Sequence, residues 1–134
     1  MSEQENLQRV QAGYAAFGRG DIPAFMEALT EDVEWVLPGP ADVPFFGTFR
    51  GKAGVQQWLG TMGEHVRFRA FEPREFIAQG NTVVVLLHGE STITRNNREV
   101  VSDGAHVLTV RDGNIARFVG YDNTAAIADA YRGR

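Results

Sequence analysis

The sequence contains no cysteine, which excludes disulfides and thiolate metal sites. It has a single lysine, Lys52, and its other basic residues are arginines scattered along the chain. With 13 basic against 17 acidic residues and a formal charge of -4, it shows no basic footprint for nucleic acid. No apolar run approaches the roughly 18 residues that a membrane span requires. The opening stretch MSEQENLQ has neither a basic n-region nor an apolar h-region, so no secretory signal is read there. Internal repeats, low-complexity tracts and linkers are also missing. The expectation is a cytoplasmic protein with no nucleic-acid or membrane partner. Residues 1–134 should form one domain.

What is present is an ordinary globular composition, 43% hydrophobic and 22% charged, with helical signals first and strands after. Ser2 and Glu5 have the form of a capping box. Leu7, Val10, Tyr14 and Phe17 follow at helical spacing as far as Gly18. Asp21 can cap a second short helix with Pro23 in its first turn. A short strand is expected over 33–37, ended by the long Pro- and Gly-rich segment PGPADVPFFGTFRG, in which Phe45 and Phe46 are candidate lid residues. A third helix carries Val55, Trp58, Leu59 and Met62 on one face. Four strands follow, near 66–78, 81–94, 98–110 and 114–122, joined by QGN, RNNR and RDGN turns that suit hairpins. A short terminal helix over TAAIADAY closes the chain. This order predicts an α+β fold: a cone-shaped, curved, mostly antiparallel β-sheet with three N-terminal helices on its concave face. Such a cone encloses a natural small-molecule cavity.

The stretch VVVLLHGES (83–91) stands out. Five apolar residues at both parities imply that both sheet faces are covered, the outer one by a partner subunit. His88 and Glu90 then fall two residues apart on one face of that strand.

The segments YAAFGRGDIPAFMEALTEDVEW, VPFFGTFRGKAGVQQWL and HVLTVRDGNIARFVGYDNTAAI resemble the SnoaL-like branch of the nuclear-transport-factor-2-like superfamily over nearly the whole chain. The resemblance implies the cone fold and homodimers through the open sheet face. It does not imply one reaction, because the cone hosts isomerases, cyclases, hydrolases and non-catalytic domains. Against ketosteroid isomerase, the base position falls on Leu37 and the oxyanion-hole Asp on His106, so that activity is not expected. Against limonene-type epoxide hydrolases, the Arg-x-Asp pair aligns with His88-x-Glu90 and the second Asp with Asp122. The SnoaL cyclases similarly use a His and an Asp from the late strands, without a cofactor.

The candidate catalytic cluster is therefore His88, Glu90, His106 and Asp122. Its imidazoles and carboxylates suit general acid–base chemistry. Register leaves one alternative open. If RDGN forms a three-residue loop, Asp122 shares a face with Phe118, Gly120 and His106. If DG forms a two-residue turn, Asp122 shares it with Asp103, and His106 points outward. Tyr14, Phe17, Trp35, Leu37, Phe46, Trp58 and Phe118 are the candidate substrate-binding wall. The expected function is a cofactor-independent enzyme, without a metal, that performs proton transfer, cyclisation or water addition on a hydrophobic, cyclic ligand. The alternative is a non-catalytic binding or dimerisation module of the same fold.

Overall fold

The computed structural model describes residues 2–134. Its elements are α1 (Glu3–Gly18), α2 (Ile22–Glu27), β1 (Leu29–Leu37), β2 (Gly47–Arg50), α3 (Gly51–His65), β3 (Val66–Gln79), β4 (Thr82–Ile93), β5 (Glu99–Arg111), β6 (Asn114–Tyr121) and α4 (Thr124–Arg132). The six strands form one curved sheet in the order β2-β1-β6-β5-β4-β3. Among the described residues, only the β1–β6 pair is parallel. Two strand expectations need correction. The first strand begins at Leu29 rather than 33, and the segment read as one long loop contains β2, which pairs Phe49 with Trp35.

The helix ends follow their capping chemistry. Ser2 Oγ accepts from Glu5 N at 3.1 Å while Glu5 Oε1 accepts from Ser2 N at 3.1 Å, closing the capping box. Asp21 Oδ1 accepts from Ala24 N at 3.2 Å at the start of α2, and Asn123 Oδ1 accepts from Ala126 N at 3.2 Å at the start of α4. Helix α1 is fixed to two hairpin turns: Asn6 Nδ2 donates to Gly80 O at 3.3 Å, and Arg9 Nε donates to Gly113 O at 2.8 Å. These two anchors set the height at which Tyr14 meets the sheet.

At the DG turn the register follows neither alternative in full. Asp112 and Gly113 both have positive φ, 51° and 83°, and Arg111 pairs with Asn114: this is the two-residue turn. His106 nevertheless faces inward with Asp122. The next pairs are Val110 with Ile115 and Thr109 with Arg117, so Ala116 is an extra residue on β6. That bulge returns the later residues of β6 to the inward face. Among the described residues, no helix is long and apolar enough to cross a membrane.

Candidate active site

The concave face of the sheet and the helices α1 and α3 enclose a cavity of about 120 Å³. Of the candidate wall residues, Tyr14, Phe17, Trp35, Leu37, Trp58 and Phe118 line it. Phe46 does not. It packs behind the wall where Gly39 has no Cβ, at a point that would lie 2.2 Å from its ring, and its neighbour Phe45 faces the cavity instead. Both are buried, so the pair is part of the core and not an exposed lid. Trp35 stacks on Phe118 at 3.9 Å with an 8° interplanar angle, and Phe118 meets His106 edge-on at 4.6 Å.

Polar groups gather at one corner of this apolar space. Tyr14 Oη lies 2.5 Å from His106 Nδ1, and His106 Nε2 lies 3.9 Å from Asp122 Oδ1. Burial pushes the His106 pKa down to about 3, so the imidazole is neutral at physiological pH. Burial first, then the Asp122 charge, hold the Tyr14 hydroxyl well above its ordinary value. Tyr14 therefore keeps its proton and is assigned as donor to Nδ1, which leaves a hydrogen on Nε2 facing Asp122. Burial also raises the Asp122 pKa, making it a stronger base than a surface carboxylate.

Asp122 reaches this position because β5 carries no side chain at Gly104, where a Cβ would lie 2.2 Å from the Asp122 Oδ1. Ser102 Oγ accepts from Asn123 N at 2.9 Å, which fixes the chain just beyond the carboxylate. On its other side Asp122 borders an open cleft formed with Pro38, Gly39, Gly120, Tyr121 and Thr124, and its side chain is 22% exposed.

A SnoaL-like domain model matches residues 10–118. An NTF2-like protein from Burkholderia xenovorans LB400 is 37% identical, with 98% of each chain covered and a TM-score of 0.89. TerC, crystallised with polyporic acid, is 32% identical over 96% of this chain and 98% of its own, with a TM-score of 0.84. The chain belongs to the SnoaL-like family. A putative isomerase from Rhodopseudomonas palustris, 20% identical over 96% of this chain and 97% of its own, with a TM-score of 0.78, shares the fold alone. Among curated proteins none matches.

Within this SnoaL-like cone, half of the expected cluster is elsewhere. His88 and Glu90 lie on the outer sheet face and line no part of the cavity. Strand β4 turns Val83, Val85 and Leu87 inward as core or cavity residues, then Gly89 and Ser91, so the intervening residues point out. There, His88 Nδ1 is 2.6 Å from Asp103 Oδ1, its Nε2 is 2.8 Å from Glu90 Oε2, and Arg69 adds a contact to Glu90 at 3.3 Å. The Glu90 and Asp103 bonds raise the His88 pKa. Asp103, the substitute for His106 in the alternative register, thus belongs to the outer group. The inner strand positions contribute Gly89, Ser91 and Ser102. The inward row Ser102, Gly104 and His106 shows the two-residue period that marks a small, polar-lined patch on a strand face, a signal readable in SDGAH. The Tyr14 hydroxyl, expected only as wall, is the group bonded to His106.

Proposed function

We propose that this SnoaL-like protein is a cofactor-independent enzyme that moves protons on a hydrophobic, cyclic small molecule. The observation that carries the reading is the convergence of Tyr14, His106 and Asp122, from α1, β5 and the end of β6, in an otherwise apolar cavity. Asp122 is the base. It takes a proton from the carbon beside a carbonyl, and the C–H electron pair becomes the C=C bond of an enolate. The Nε2–H of neutral His106, its ring held by Tyr14, donates to the enolate oxygen. Asp122 then returns the proton to the same or a neighbouring carbon, or the enolate closes on an electrophile of the same molecule. Water addition uses the same base with water as nucleophile. TerC having been crystallised with polyporic acid supports a small molecule as the ligand.

The test is α-proton exchange of 2-tetralone in deuterated buffer, followed by NMR. Wild type should accelerate exchange, and Asp122→Asn should reduce the acceleration about a hundredfold or more. Because the base works ionised and burial raises its pKa, the rate should climb with pH through a limb above the ordinary carboxylate range. No acceleration over buffer, or an unchanged rate in Asp122→Asn, would leave the protein as a binding module of the same fold. The outer sheet face we assign to a second copy of the chain.

A further inference from the structure

Three side-chain polar atoms are buried without a hydrogen-bond partner among the described residues: Asn6 Oδ1 and the indole nitrogens of Trp35 and Trp58. Asn6 sits under the β3–β4 turn, where its amide NH₂ already bonds Gly80 and Asn81. The two indoles are different in kind. Both residues line the cavity, both are at least nine-tenths buried, at 4% and 5% exposure, and their rings are neighbours at 5.4 Å. A buried N–H without an acceptor is costly, and native proteins pair the large majority of such groups. Phenylalanine at either position would give an apolar aromatic wall with no donor to leave unpaired. Two neighbouring tryptophans of the cavity lining, whose N–H groups find no acceptor within the protein, therefore call for an acceptor from outside it.

The aromatic row gives the scale. From Trp35 to Phe118 is one ring step of 3.9 Å and from Phe118 to His106 another of 4.6 Å. A fused two-ring skeleton with an oxygen substituent spans that distance. We propose that the indole N–H groups of Trp35 and Trp58 form an acceptor-oxygen subsite. It takes a carbonyl, ether or phenolic oxygen of an otherwise apolar ring compound whose far end reaches Tyr14, His106 and Asp122. The inference rests on the proposed reading only in taking this cavity as the ligand site, and turnover is not needed to test it.

The probes are 2-acetylnaphthalene and its near-isostere 2-isopropenylnaphthalene, which replaces the carbonyl oxygen by a CH₂ group. Binding is measured by calorimetry. Indole ¹⁵N–¹H spectra contain two cross-peaks, because the chain has two tryptophans. Wild type should prefer the ketone by about tenfold, the size of one hydrogen bond. At least one indole cross-peak should shift with the ketone and stay in place with the alkene. The variant carrying both Trp35→Phe and Trp58→Phe should erase the preference, and at least one of the single variants should weaken it, while alkene affinity changes by less than about threefold. Equal affinity of wild type for the two probes would overturn the subsite. So would indole resonances unmoved by the ketone, as expected if the N–H groups rest on neighbouring ring faces, or a preference that survives in the double variant. Ketone preference together with α-proton exchange insensitive to Asp122→Asn would sustain the subsite and remove the acid–base reading.

Discussion

Gly104 decides where the proposed base sits. Its missing Cβ leaves the space that the Asp122 carboxylate fills, and a methyl there would also press the Tyr121 carbonyl at 2.9 Å. The backbone oxygen cannot rotate away, so in Gly104→Ala the carboxylate must move off its seat, toward the open cleft beside it. Better hydration should then bring its pKa, now raised by burial, down toward the ordinary carboxylate value. A ¹³C carboxyl NMR titration reads this without any substrate, and exchange activity should fall about tenfold or more. Gly89→Ala is the control, because its Cβ would meet nothing closer than Ser102 O at 3.7 Å. An Asp122 titration identical in Gly104→Ala and wild type would refute this role for Gly104. His106 and Asp122 were legible in the sequence as polar residues on late strands. Gly104 was not, since its need for emptiness comes from a carboxylate on the neighbouring strand.

Strand parity explains which half of the candidate cluster lies in the cavity. In β4 the residues from Val83 to Leu87 are apolar at both parities, so the strand carries no internal statement of which face is inside. Its neighbours decide: Phe71 lines the cavity beside Gly89, whereas Asp103 faces outward and bonds His88. The paired carboxylates satisfy His88 so well outside the cavity that proximity to Glu90 in sequence was a misleading sign of a pocket. On β6 neither of the two turns considered gives the observed face by itself. DG forms the short loop, and the Ala116 bulge then reverses the parity that loop would have imposed. The bulge is thus the element that delivers Phe118, Gly120 and Asp122 to the cavity. Deleting Ala116 should turn these three positions outward or prevent folding. Circular dichroism and amide NMR should show either an unfolded chain or a folded one with the Asp122 pKa back in the ordinary carboxylate range. A folded deletion variant in which Asp122 retains its raised pKa would show that register is set elsewhere.

The α+β architecture followed from helical and strand periods that are local, and only the start of β1 and the short β2 escaped them. The expected second copy depends instead on the outer face, where the structure supplies rows in place of a single apolar strand. Leu86, Ala105 and Tyr121 lie side by side on β4, β5 and β6, next to a row of Val84, Val107 and Val119. Leu86 and Tyr121 are 37% and 55% exposed, and Val101 on the same face is 53% exposed. A contiguous apolar patch on an open sheet face is a liability for a solitary chain. A twofold pairing of the face with itself would cover it. Leu86→Arg places a charge in that pairing while touching nothing in the cavity, so the cost to the isolated fold should stay within about 0.5 kcal/mol. Sedimentation equilibrium should give wild type twice the chain mass of 14.8 kDa and the variant the single mass, with an unchanged near-ultraviolet spectrum. A wild-type chain that sediments as a monomer at micromolar concentration would reject the pairing, and the outer rows would then be the exposed back of a self-sufficient cone.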